Sequence, residues 1–294
     1  MEALAIGSRY IDQSEFASLA KNLNCITKVS TFDEFGMYQG CEISENGNSI
    51  FNNSVSYKCL EKTENEKTYK QLSHIVESET MVANGVALTT RKYQTDAVGR
   101  IIKIEDEKFG NHSYSYDDRG FLVKDDDTAY EYDANGNVTK IGATVLKYDA
   151  TVRDKLVSVG DKVVSYDATN PLVPTAYDGN TYTFEGRRLL KVQNENQTVE
   201  YTYNDQGLRT KKYKTGSGYL SAKYFYEGTK LVAEVSSDRR LDYLYDENDM
   251  LFGFVLNQTD TYFYVRDTLE NILGIIDSNA TLLYNIHTMH GVNS

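Results

Sequence analysis

Few residues in this chain have the types and spacing to do chemistry. Asp133, Asn135 and Asn137 alternate in DANGN as the first oxygen donors of a calcium loop do. The glycine comes too early, at loop position 4 rather than 6, and position 12 is Thr144 rather than a bidentate glutamate. That run therefore reads as a turn. Asp125, Asp126 and Asp127 could hold a cation, but they read first as a solvated hairpin loop. His287 and His290 have the spacing of two metal ligands but no evident third. Cys25, Cys41 and Cys59 show neither CxxC spacing nor a nearby histidine, so they read as inert thiols rather than a zinc site or a disulfide framework. No phosphate-cradling glycine loop, Gly-x-Ser-x-Gly or Cys/His pairing is present. Carboxylate pairs for glycoside hydrolysis are recognised in space, and 43 acidic residues make chance pairs expected. The expectation is a non-enzymatic protein with no metal, no cofactor and no catalytic residue.

The tyrosines remain. The chain has 24 Tyr and no Trp. They recur as Tyr-x-Tyr doublets: Tyr114/Tyr116, Tyr130/Tyr132, Tyr201/Tyr203, Tyr224/Tyr226, Tyr243/Tyr245 and Tyr262/Tyr264, with Tyr182/Phe184 a variant. The second rings fall 16 to 23 residues apart, except for one gap of 52 that holds degraded units at Tyr148-Asp149 and Tyr166-Asp167. Residues i and i+2 of a strand share a face, so each doublet sets two rings side by side. A polar turn follows, with Asp or Asn bonding the local backbone and Gly taking positive φ. Each unit is thus a β-hairpin, and hairpins this small must pair edge to edge. The ring face packs the sheet. An exposed ladder of rings, at Tyr201 and Tyr203 for example, could also stack on sugars.

The remaining chain sets limits on these hairpins. A net charge of −12 argues against nucleic acid and anionic membrane surfaces as partners. No apolar run is long enough to cross a bilayer, and the start does not read as a signal peptide, so the expectation is either a protein that stays where it is made or an export signal upstream on a longer parent chain. Residues 1–29 hold one expected short helix, over 12–24, with Asp12 and Ser14 as caps. Residues 30–92 read as degenerate β repeats, 93–242 as full repeats, 243–284 as a distinct C-terminal block and 285–294 as a frayed tail.

YDDRGFL (116–122), YDANGNV (132–138) and YNDQGLR (203–209) resemble the repeat unit of the RHS or YD-repeat proteins. The stretch 243–280 resembles the start of the RHS-associated core, and YTFEGRRLLKV (182–192) a junction of Gram-positive members. In that core two glycine slots are replaced, by Glu270 and Ala280. The resemblance implies an all-β fold of tandem hairpins in a continuous curved or spiralling sheet, a segment of an RHS-type shell. It places structural motif residues at Tyr116, Asp117, Gly120, Tyr132, Asp133, Gly136, Tyr182, Gly186, Tyr203, Gly207, Tyr226, Gly228, Tyr245, Asp246, Tyr264, Gly274 and Asp277. It implies a secreted or cell-surface parent of polymorphic-toxin type, with a C-terminal effector or other shell segments as partners. A carbohydrate or cell-wall binding module, and a truncated gene remnant, are the alternatives. The family's Asp-Pro cleavage motif is absent, since Pro171 and Pro174 follow Asn170 and Val173, so self-cleavage is not carried over. So few repeats predict an open sheet with two free edges, which the negative charge would keep from self-pairing.

Overall fold

The computed structural model describes residues 26–64, 67–218 and 220–285. The helix expected over 12–24, Cys25, His287 and His290 lie outside them. Every regular element among the described residues is a β-strand, and there are 26. The first six are β1 (Ile26–Phe32), β2 (Tyr38–Glu45), β3 (Asn48–Glu64), β4 (Lys67–Ala83), β5 (Val86–Thr95) and β6 (Ile101–Glu105). The repeats then run from β7 (His112–Tyr116) to β22 (Arg240–Tyr245), and the last strands are β23 (Leu251–Leu256), β24 (Asp260–Arg266), β25 (Ile272–Asp277) and β26 (Leu282–Asn285).

Strand order is strictly sequential within two thirteen-stranded sheets, β1 to β13 and β14 to β26. The two sheets meet in one kinked strand. On either side of Val164, β13 (Lys162–Val163) pairs with β12 (Leu156–Val159), and β14 (Ser165–Tyr166) with β15 (Pro174–Tyr177). The chain is therefore a single antiparallel ribbon, and the degraded units at Tyr148 and Tyr166 are complete hairpins within it.

The two long edges of the ribbon differ. Along one, an Asp or Asn carbonyl-type oxygen accepts the amides two and four residues on: Asp117 from Arg119 and Phe121, and Asn204 from Gln206 and Leu208. Asp133 does the same for Asn135 and Asn137, and also takes the Asn137 side-chain amide at 3.0 Å. The would-be calcium loop is thus a turn whose carboxylate is already occupied by protein donors. Those donors, the Asn137 side chain first, hold Asp133 below the usual carboxylate range. Six connections of the opposite edge, among the described residues, are two-residue turns, including Asn46-Gly47 and Asn84-Gly85, with Asn46 and Asn84 at φ 53 and 48.

The second tyrosine of a repeat has a specific task. Along the first edge, the residue before the turn Asp or Asn sits at a β-bulge, as at Ser115/Tyr116, Thr202/Tyr203 and Leu244/Tyr245. Between one hairpin and the next, the ladder stops short of this edge: the pairing of Lys191 with Glu200 is the last before Leu189. The Tyr203 hydroxyl donates to the stranded Leu189 carbonyl at 2.8 Å. Tyr116 does so to Ile101, Tyr132 to Leu122, Tyr226 to Arg209 and Tyr245 to Leu231. Hairpins thus splay apart at the turn edge, and a phenol spans each gap, satisfying a carbonyl that the ladder leaves over. Tyr203→Phe is expected to cost about 1 kcal/mol in urea unfolding, while Tyr201→Phe, with no such bond, costs a few tenths at most.

Registers place the doublets on one face throughout: Tyr201 lies opposite Lys212 and then Ala222, which alternates with Tyr224 and Tyr226. Tyr224 is opposite Glu234, Tyr243 opposite Phe254, and Phe254 opposite Tyr262. Rings on this face are half-buried while the residues between them, such as Ser115, Glu131, Thr183 and Thr202, are exposed. Cations cover several rings, with Arg100 4.7 Å from the Tyr116 centroid and Lys155 4.5 Å from Tyr166. Between Phe109 and Ala222 no described residue is fully buried. The middle of the ribbon is a single layer.

Apart from the small side chains of Ala222 and Ala233, buried hydrophobic side chains among the described residues gather where the ends meet. Ile43, Phe51 and Met81 of β2 to β4 share one cluster with Phe109, Phe263, Val265 and Ile276. The first three lie on the tyrosine face, by register through Thr89, Arg91 and Tyr93 of β5. Phe263 and Ile276, paired across β24 and β25, lie on the opposite face from Tyr262 and Tyr264. One end of the ribbon therefore overlaps the other, tyrosine face against reverse face, as in a rolled strip. The hydrogen-bonded sheet is open, as the repeat number predicts, with β1 and β26 each paired on one side among the described residues. Side chains of β2 to β4 and β23 to β25 lap its ends together, because each end leaves an apolar face that a single layer cannot cover.

Candidate functional site

The overlap is held by a buried polar clasp as well as by apolar packing. Lys28 Nζ meets Asp246 Oδ2 at 2.8 Å across 218 residues, with side chains 10% and 4% exposed. Burial alone would raise the Asp246 carboxyl, but the Lys28 ammonium and the turn amides of Met250 and Asn248 hold it below its ordinary value. Deeper in, Glu79 is fully buried. Its Oε2 accepts the Thr268 amide at 2.9 Å and the Asn53 side-chain amide at 3.3 Å, and Tyr93 donates its hydroxyl to Oε1. Arg91 Nη1 contacts Asp106 Oδ2 at 3.2 Å and Nη2 lies 3.8 Å from Asp267 Oδ2. Asp106 Oδ1 also accepts Thr89 Oγ1 at 2.7 Å and the Phe109 amide at 2.9 Å, so the same turn that supplies a carboxylate inserts Phe109 into the core.

Burial pushes the Glu79 carboxyl up to about 7, against the bond from Tyr93 and with the Asp267 charge. Burial, then the Glu79 charge, raises the Tyr93 phenol. Of these clasp residues only Asp246 stood out in the sequence, as the turn aspartate of a repeat. The available signal was a charge in an apolar register: Glu79 alternates with Met81 and Ala83, and Arg91 with Thr89 and Tyr93.

A cavity of about 20 Å³ adjoins the clasp, lined in part by Lys28, Tyr38, Cys41, Asn53 and Arg266. That is room for about one water and none for a sugar or nucleotide. Cys41 is half-buried and its thiol pushed up, by burial first, and Cys59 is exposed; both are unbridged. His112, Asp125 and Asp126 bring one ligand atom each within 4.8 Å of one another. Asp126 is nevertheless a turn residue at φ 47, accepting the Ser113 amide at 2.6 Å and meeting His112 Nδ1 at 2.9 Å.

The motif residues fall at three kinds of position. Asp117, Asp133, Asp246 and Asp277 are turn acceptors, the last at the opposite edge, where it takes the Asn279 and Thr281 amides. Gly120, Gly136 and Gly207 close such turns at φ +89, +90 and +80, and Gly186 and Gly228 lie in two-residue turns. Tyr116, Tyr132, Tyr203, Tyr226 and Tyr245 are the carbonyl-capping phenols, and Tyr182 is the first ring of its doublet. In the last repeat Arg266 holds the bulge before Asp267, and Tyr264 lies two residues upstream. Gly274 answers to packing rather than to a turn: a Cβ there would fall 2.6 Å from the Tyr284 carbonyl oxygen and 3.2 Å from Phe109. Tyr201 and Tyr203, the pair considered for sugars, are half-buried, with the Arg209 guanidinium 5.4 Å from the Tyr201 centroid and the Tyr203 hydroxyl committed to Leu189.

The two substituted glycine slots keep the glycine conformation, Glu270 at φ 64 and Ala280 at φ 60. A left-handed alanine costs about 1 kcal/mol. Ala280→Gly is therefore expected to raise the unfolding free energy by about that amount, read as a later urea midpoint at unchanged slope.

A family model described as Teneurin YD-shell matches residues 42–288. No protein of curated function matches the chain in sequence. Among solved structures the ribbon is similar to a TcdB2-TccC3-Cdc42 crystal structure, at TM-score 0.54 and 13% identity over 87% of this chain and 16% of that one. It is also similar to the Photorhabdus luminescens Tc holotoxin pore carrying a TccC3 variant, at TM-score 0.53 and 12% identity over 91% of this chain and 17% of that one. At such identity the likeness is one of fold, and the chain spans about one sixth of each matched structure.

Proposed function

The chain belongs to the teneurin YD-shell family, and from that premise we propose that it is a stretch of shell wall enclosing or presenting a polypeptide effector of its parent protein. The observation that carries this reading is the single-layer ribbon with one continuous tyrosine face. A free-standing β-domain buries one face of its sheet on a core. Here no described residue from 110 to 221 is fully buried, and the large buried side chains gather at the overlapped ends. A half-covered face of aromatic rings and aliphatic side chains suits contact with a non-native polypeptide: it offers apolar area without a fixed pattern to satisfy. The wall role needs no catalytic group. It fits a parent that is secreted or cell-surface bound, with further shell segments completing the enclosure.

A sugar-binding face is the weaker reading, because the ring of Tyr201 and the hydroxyl of Tyr203 already have protein partners. The enclosure is tested on the full reading frame that contains this chain. Limited proteolysis of the intact protein is expected to spare the effector segment, and the same segment cut free is expected to be digested at least tenfold faster. Equal rates would refute enclosure.

A further inference from the structure

Three buried carboxyl groups, Glu79, Asp106 and Asp267, surround one guanidinium at the overlap. Both terminal nitrogens of Arg91 are directed to the two aspartates. Glu79 stands directly across the ladder from Arg91, yet its contacts are Tyr93, Asn53 and the Thr268 amide. Its other charged or titratable surroundings are Tyr38 of β2 and the β24–β25 turn that carries Asp267 and Glu270. With all three carboxyls ionised the site would bury two uncompensated negative charges, which a dry interior does not sustain. Asn53, 7% exposed, meanwhile has its Oδ1 buried without a hydrogen-bond partner. A half-turn of that amide exchanges Oδ1 with Nδ2, which lies 3.3 Å from Glu79 Oε2. An O–H on Glu79 then has an acceptor waiting.

We propose that a proton on Glu79 is a working part of the overlap. As a carboxylic acid Glu79 donates to Asn53, accepts from Tyr93 and Thr268, and holds the 267–271 turn on β4; its ionisation loosens the joint. The position of the carboxyl, pushed up to about 7 by burial, agrees with this. The sign follows from linkage. Between its ordinary value of 4.5 and about 7 the folded chain holds a proton that the unfolded chain has lost. The contribution is complete below about pH 4.5, declines through that window and is gone above about 7. The turn aspartates act lower, Asp149 at about 2 under bonds from the Thr151 and Val152 amides. The inference concerns the joint alone, so it can fail while the enclosure reading stands, and the reverse.

The test is a carboxyl carbon NMR titration of the unmodified protein together with thermal melts at pH 5 and pH 8. The Glu79 carboxyl is expected to titrate near 7, and the Thr268 amide, corrected for intrinsic exchange, to exchange at least tenfold faster at pH 8 than at pH 5. Glu79→Gln, a permanently neutral isostere, is expected to match the parent melt at pH 5 and exceed it at pH 8. A Glu79 midpoint at or below 4.5, or an equal loss in Glu79→Gln at both pH values, would overturn the proposal.

Discussion

Replacing Arg91 by leucine is expected to destabilise the fold by about 3–5 kcal/mol, the usual cost of removing one partner from a buried ion pair. The reason is the company Arg91 keeps. The side chains of Asp106 and Asp267 are fully buried, and Arg91 is the cation that contacts both. Without it, two carboxylates stay in a dry site, one from the β6–β7 turn and one from the β24–β25 turn, and their repulsion pushes the ends of the ribbon apart. Amide and hydroxyl donors to Asp106 soften the loss there, and Asp267 keeps its own turn amides and the Asn271 side-chain amide. Adding Asp106→Asn and Asp267→Asn to Arg91→Leu removes the stranded charges and is expected to restore at least half of the loss. Urea unfolding of the single and triple variants measures both. A single variant within 1 kcal/mol of the parent would mean that the clasp does not hold the overlap.

Phe263→Ala carries the second large effect, again about 3–5 kcal/mol, from lost transfer energy and a cavity that the strands cannot close. Phe263 is fully buried against the N-terminal strands, and its ring lies against Gly253, where a Cβ would come within 3.2 Å of it. The control is Phe225→Ala. Phe225 is the same residue type on the same face of the same ribbon, connected by register through Ala233, Asp242 and Val255, yet it is 47% exposed. Its loss is expected to stay within about 0.5 kcal/mol, as for an ordinary surface position. Only the overlap distinguishes the two sites, so the difference between them measures the overlap directly.

Much of this fold is legible residue by residue because its rules are local. A tyrosine doublet, an aspartate two residues before the amide it accepts and a glycine that must turn left are all contained within one hairpin. Even the worn slots at Glu270 and Ala280 keep their backbone conformation, since the turn geometry is set by Asp267 and Asp277 before the slot is reached. What local rules miss is contact across the whole chain. Glu79 and Thr268 are 189 residues apart, and nothing near either one announces the other. The register of the last repeat was misleading for a related reason: Tyr262 and Tyr264 copy the doublet, while the bulge position belongs to Arg266, whose guanidinium reaches the Glu270 carbonyl instead of capping the preceding hairpin. The hydroxyl's role was equally hidden, because Tyr and Phe are alike to a hydrophobic pattern and differ only once a carbonyl is left over.

Overlap of the ends is the claim on which the rest depends, and one distance tests it. An unrolled ribbon, at about 4.8 Å per strand, would place β1 and β22 about 100 Å apart. Spin labels at Val29→Cys and Glu247→Cys, both exposed and each next to a partner in the Lys28–Asp246 pair, would report the separation in a chain whose native cysteines are replaced by serine. The rolled and overlapped ribbon predicts a single narrow distribution below about 30 Å, the contact distance plus two label arms. A broad distribution, or one centred beyond about 50 Å, equivalent to ten or more strand spacings, would contradict it.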